Sequence, residues 1–224
     1  MQIKTAARRK QESMDFLHSK GIKTMEHLPQ IEENHEVTLQ TKEAVAKRAI
    51  ALCVVAVRGE CIGAGDMDWK EILDLQTMIT ERYNAQTFFT PNEISFLMDD
   101  AMDLHAATQF SWRYECLNVM LWALSFVGEL TFPNNICDVA NIVKIIQNHA
   151  NFDDFLSAAV LRDKEQILDQ ADLIYRYNWA CVDARINNEQ MDTIQPGIVA
   201  ERHHALNWLI SYCEQPWDDI TTDT

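Results

Sequence analysis

Only 11 of the 224 residues are glycine or proline, about 5% where an ordinary chain carries about 12%. These two residues make most tight turns, so a chain this poor in them has few places to reverse direction as a β-sheet must. None falls between Pro133 and Pro196, which leaves that stretch free to run as long helices. No Asn-Gly or Asp-Gly pair marks a hairpin, and no internal repeat or low-complexity block is visible. The expectation is an all-α fold: a single globular multi-helix domain with two long central helices. At 47% hydrophobic residues the chain can build an ordinary core, which excludes a disordered acidic segment.

Local signals divide the chain into 1–40, an N-terminal helix and connector; 41–214, the helical core; and 215–224, an irregular acidic tail. The first helix spans Thr5 to Ser19 and stops at Gly21. A polar connector follows from Pro29. Thr41 can cap a second helix, apolar on nearly every face from Ala44 to Val57 and therefore central. Gly59, Gly63 and Gly65 are expected to end it. This glycine-rich stretch lacks the lysine and the preceding strand of a phosphate loop. A third helix covers Trp69 to Tyr83. Thr90, Pro91 and Glu93 supply the N-cap, first-turn proline and N3 carboxylate of a capping box. The periodicity predicts one long helix from Leu104 to Val127 and, past Pro133, shorter ones over Asp138 to Asn148 and Asp153 to Val160. A second long helix is predicted from Asp163 to Ile186, and a last one from Ile198 to Cys213.

The formal charge is −15, with 34 acids against 19 Lys and Arg. It is uneven: −5 over residues 1–112, from 12 bases and 17 acids, and −10 over 113–224, from 7 bases and 17 acids. No basic stripe extends beyond the first ten residues, which argues against nucleic acid as a partner. Those residues resemble a signal n-region, but Glu12, Asp15, His18 and Lys20 interrupt what should be the apolar part. The most apolar run, Cys116 to Gly128, is too short for the roughly 18 to 20 residues that span a bilayer, so no membrane segment is expected. Six cysteines without a CxxC pair, several within apolar runs, point to free thiols and a reducing, cytoplasmic setting.

On the helix from Asp163, at about 100° per residue, Glu165, Asp169, Asp172, Arg176, Trp179 and Asp183 share a stripe roughly 80° wide. A solvated face is usually broader, so the stripe is expected to line a cleft or meet charges on a neighbouring helix. The pair Asp172 and Arg176 is also an i,i+4 ladder, which alone adds a few tenths of a kcal/mol. Arg113 shares a face with Leu117, Met120 and Leu124, and Arg202 falls among Ile198, Leu206 and Leu209. A guanidinium on an apolar face needs a carboxylate. By residue type the partners are Asp169, Asp172, Asp183, Glu115 and Glu201. The expectation is an arginine and carboxylate network drawn inward and linking three helices.

Glu201 and His204 form a Glu-x-x-His pair, a spacing used in dimetal bundles. The only other pair is Glu32 with His35 in the connector. Metal binding at Glu201 and His204 is thus a weak candidate and no cofactor is expected. No nucleophile elbow is present, and the tryptophans read as core or rim packing.

Specific strings add a resemblance. Trp112-Arg113-Tyr114-Glu115, Leu121-Trp122-Ala123-Leu124 and Glu165-Gln166-Ile167-Leu168-Asp169 are among them. So are Ala171-Asp172-Leu173-Ile174-Tyr175-Arg176, Glu201-Arg202 and Ala205-Leu206-Asn207-Trp208-Leu209. Together with Gly21-Ile22 and Leu28-Pro29 they resemble the family known as domain of unknown function 4272. The likeness spans nearly the whole chain except residues 59–89, which implies one domain. It brings no activity and no catalytic residue with it.

Two functions follow from the residues. The first is a helical binding protein that docks a basic protein partner, such as a toxin enzyme, through an acidic face. The second is an enzyme or small-anion-binding protein, possible also in a metal-dependent form, whose pocket is lined by Arg113, Asp169, Asp172, Arg176, Glu201 and Arg202. The first ranks ahead because no complete catalytic constellation is present. The sequence fixes no oligomeric state.

Overall fold

The computed structural model describes residues 3–101 and 103–224. Its helices, in chain order, are α1 (Ala6–Ser19), α2 (Lys42–Ala64), α3 (Trp69–Arg82), α4 (Pro91–Met98), α5 (Leu104–Ser111), α6 (Arg113–Ala123), α7 (Val139–Gln147), α8 (Phe152–Ala158), α9 (Lys164–Ile186) and α10 (Pro196–Leu209). Among the described residues there is no strand, and the fold is all-α. No helix there is long and apolar enough to cross a membrane. The chain parts into two units. The first holds residues 3–40, 131–135 and 162–224, with α1, α9 and α10; the second holds 41–130 and 136–161, with α2 to α8.

In the second unit α2 is the central element. The Thr41 hydroxyl accepts the Ala44 N–H at 3.1 Å and starts it, and every side chain from Ala49 to Ala56 is buried. Around it pack α3, α4, α5, α6, α7 and α8. The helix does not end at Gly59 as the sequence suggested. It continues to Ala64 and stops at Gly65, which is left-handed at φ 67°. Gly59 is there for a close crossing with α5, because a Cβ on it would lie 2.6 Å from the Ala107 carbonyl and 2.9 Å from the Ser111 amide nitrogen. The capping box at α4 forms as read, Thr90 with Glu93. Glu93 is also buried against Arg48 of α2, a pairing the box alone does not signal.

The single helix expected from Leu104 to Val127 is bent and shorter. The Ser111 hydroxyl donates to the Thr108 carbonyl at 2.8 Å, and the Trp112 N–H reaches that same carbonyl only at 3.4 Å. Back-bonding of this kind loosens the ladder and bends a helix, here between α5 and α6. The run stops at Ala123 because Ser125 turns left-handed at φ 64°. Phe126 N–H then returns to the Leu121 carbonyl at 2.9 Å, a Schellman closure. The ring so released stacks on Phe155 with centroids 4.9 Å apart.

In the first unit α9 is flanked by α1 and α10. Gly21, at φ 70°, closes α1 with Ile22 N–H on the Leu17 carbonyl at 3.0 Å. The last helix, expected to reach Cys213, ends at Leu209 because Ser211 is left-handed at φ 53°. Residues 215–224 are more than an irregular tail. Trp217 and Ile220 are buried, and the Asn207 and Asn178 amides donate to the Thr221 and Thr222 carbonyls, each at 2.9 Å.

The two interior glycines of α2 give a paired test. Gly59→Ala should lower unfolding free energy by about 2 kcal/mol or more through overpacking against backbone. At Gly63 an added Cβ meets nothing within 4 Å, so Gly63→Ala should be neutral or stabilising by up to about 1 kcal/mol. Urea denaturation of both variants checks this.

Candidate functional site

The acidic stripe of α9 is met from the N-terminal side of the chain. Arg9, on α1 and only 1% exposed, donates from Nη2 to Glu165 Oε2 at 2.9 Å and from Nε to Asp169 Oδ1 at 3.1 Å. Lys4 adds its ammonium to Asp169 at 2.7 Å, and the Asn34 amide donates to Glu165. Two turns on, Arg176 holds Asp172 in a fork, Nε at 2.9 Å and Nη2 at 2.7 Å, with both side chains buried. The same Nη2 donates to the Pro29 carbonyl at 3.2 Å, which ties the connector to α9. Farther along, Asp183 meets Lys23 at 2.6 Å in a more exposed pair.

Sequence reasoning missed Arg9. The signal was there: Ala6, Arg9, Ser13 and Leu17 follow helical spacing and all are buried. Of the other candidates, Arg202 is buried in α10 and donates to the Thr131 carbonyl at 2.5 Å. Glu201 and His204 are half-buried on the same helix, the His204 ring lying edge-on to Trp217 at 4.6 Å. Arg113 and Glu115 belong to α6 in the second unit. There Arg113 is half-buried, with Nη1 3.9 Å from the Cys116 sulfur, and Glu115 accepts the Cys137 N–H at 2.6 Å. Among the described residues no group of three or more His, Cys, Asp and Glu side chains is placed to hold a metal ion. Burial pushes the Cys53 thiol up to about 12 and the Cys181 thiol up to about 11, so neither is a thiolate at neutral pH.

Beside the Asp172 and Arg176 pair lies a cleft of about 260 Å³. Its walls come from the connector at Pro29 to Glu32, from Tyr175 on α9, from His203 and Asn207 on α10, and from Tyr212 and Asp223. His203 occupies a core position, spaced four after Val199 and three before Leu206, both fully buried. It is 1% exposed, and its Nδ1 has no hydrogen-bond partner among the described residues. Burial pushes its pKa down to about 4, against a smaller upward pull from the Asp223 carboxylate. The imidazole is therefore neutral at pH 7 and can accept a hydrogen bond. The Tyr175 ring lies 6.1 Å from it, and burial raises the Tyr175 and Tyr212 phenols above their ordinary range.

No lysine or arginine lines this cleft. Neither Glu32 nor Asp223 has an ion-pair partner among the described residues. Asn207 has spent an amide hydrogen on Thr221, which leaves its carbonyl oxygen as an acceptor. The site is thus an acceptor-rich, aromatic-walled, negatively charged hollow.

A family model described as domain of unknown function (DUF4272) matches residues 9–220 of the chain. The chain belongs to the DUF4272 family. No curated protein and no solved structure matches it. The span matched to DUF4272 takes in Arg9, the α9 stripe and the cleft residues from Pro29 to Tyr212, while Asp223 falls outside it.

Because the folded pKa of His203 lies below its usual value near 6.5, folding favours the neutral ring. That contribution is complete above pH 6.5 and is lost as pH falls through about 4. Between pH 7 and pH 4.5 the protein should therefore lose on the order of 2 kcal/mol more stability than the variant His203→Asn. Urea titrations of both at the two pH values read the difference directly. Equal losses would mean the ring is as solvated folded as unfolded.

Proposed function

We propose that the chain is a binding protein whose acidic cleft takes the positively charged side chain of a basic partner protein. One observation carries the reading: Glu32 and Asp223 line the same hollow, without a protein cation to neutralise them. Two unneutralised carboxylates in a partly closed cleft attract a cation, and tyrosine faces suit an ammonium or guanidinium through cation–π contact. The neutral His203 ring and the Asn207 carbonyl oxygen add acceptors for its N–H groups. A whole-chain charge of −15 steers such a partner inward at a rate that falls with salt. A basic toxin enzyme belongs to this class of partner. The six free thiols fit work in a reducing, cytoplasmic setting.

The competing reading, a pocket for a small anion, draws less support from the geometry. The Arg176 fork is filled by Asp172, Arg9 is engaged by Glu165 and Asp169, and Arg202 donates to a carbonyl. Arginines engaged in this way hold the unit together and are poorly placed to receive an outside anion.

Calorimetry with agmatine and with a short peptide rich in lysine and arginine tests the proposal. Both should bind, the peptide more tightly if the cation comes from a protein. The double variant Glu32→Gln/Asp223→Asn should weaken each by about tenfold or more, as should a rise from about 50 mM to about 500 mM NaCl. Unchanged affinity in the double variant, or a preference for succinate over agmatine, would overturn it.

A further inference from the structure

The second unit contains a larger cleft, of about 440 Å³, with mostly apolar walls and a consistent hydrogen-bonding character. Gly59, Gly63 and Ala64 of α2 form its floor, and Trp112, Ile136 and Val139 contribute walls. Gly63 matters most here, because a Cβ on it would meet nothing within 4 Å. The missing side chain leaves room for another molecule.

The polar groups of this cleft are spent as donors. The Tyr114 hydroxyl, on a side chain 6% exposed, donates to Glu60 Oε2 at 2.5 Å. The Thr108 and Ser111 hydroxyls donate to the Leu104 and Thr108 carbonyls, each at 2.8 Å. Glu115 brings a carboxylate that accepts the Cys137 N–H. Burial, and then the bond to Glu60, raise the Tyr114 phenol well above its ordinary range, so it keeps its proton. What these side chains offer a visitor is acceptor capacity: the second oxygen of Glu60, the phenol oxygen and the lone pairs of the two hydroxyls. No lysine or arginine lines the cleft, while two glutamates do.

We infer that this cleft binds a small organic cation with an apolar body, of the arylalkylamine class, its ammonium on Glu60 and the Tyr114 oxygen and its ring between Trp112 and the Gly63 floor. An ammonium supplies the donors the site lacks and the charge it wants. The apolar body buries against the glycine floor, where a volume of this size matches ordinary small-ligand sites of about 300–1,000 Å³. Contact of the cation with the Trp112 indole adds to the selection. The site shares no residue with the cleft of Glu32 and Asp223.

Calorimetry with tryptamine, its neutral analogue tryptophol and its acidic analogue indole-3-acetate tests the inference on the full chain. Tryptamine should bind at least about tenfold more tightly than tryptophol, and indole-3-acetate should not bind, as charge selection at a carboxylate predicts. Glu60→Gln should weaken tryptamine about tenfold. Gly63→Leu should abolish binding by filling the floor, while Gly63→Ala retains the fold and most of the affinity. Glu32→Gln/Asp223→Asn should leave tryptamine binding unchanged, which separates a failure here from a failure of the acidic-cleft reading. Absence of tryptamine binding, equal binding of tryptophol, or indifference to both Glu60→Gln and Gly63→Leu would overturn the inference.

Discussion

A guanidinium taken out of water must be given a carboxylate, and the unit built on α1, α9 and α10 is organised by that demand. Arg9 is almost completely buried and is met by two acids of α9, Glu165 and Asp169. The attraction of such a pair only roughly offsets its desolvation, but breaking it by removing one partner costs about 3–5 kcal/mol. The pair therefore fixes register more than it adds stability: α1 can sit on α9 only where Arg9 reaches both acids. Arg176 repeats the device within α9, its fork on Asp172 also catching the Pro29 carbonyl and holding the connector that forms one wall of the cleft.

The same rule shapes the second unit and the chemistry left for the surface. Arg48 is buried against Glu93, while Arg58 is satisfied by the Leu97 and Asp99 carbonyls and lies over the Trp69 ring. Five of the ten arginines are buried, so half of the residues best suited to grip an anion are committed to the interior. The acids are not committed to the same extent. Glu32, Asp223 and Glu60 line hollows that contain no basic side chain, and both clefts consequently favour cations.

The all-α class, the N-cap at Thr41, the capping box at Thr90 and Glu93, and the stop at Gly21 were all legible, because each depends on residues within about one helical turn. The α9 stripe was legible as a pattern, too narrow for a solvated face. Its partners were not. Arg113 and Arg202 drew attention as arginines on apolar faces, whereas Arg9 and Arg48, with the same signature, passed unnoticed. His203 was read as an ordinary polar residue although it stands in an apolar row between Val199 and Leu206. The bend at Trp112 escaped notice for another reason: it comes from a serine hydroxyl competing for a carbonyl, and no proline or glycine marks it.

The sequence by itself determined that this chain is helical, acidic and punctuated where it is, since turn scarcity, cap chemistry and helical periodicity act over a few residues. Only the tertiary structure decided which carboxylate each inward arginine meets and which acids are left without one. Arg9 and Glu165 stand 156 residues apart, and Glu32 and Asp223 come from opposite ends of the numbering. Contacts so distant in the chain are chosen by packing, where one buried charge excludes every arrangement that leaves it unanswered.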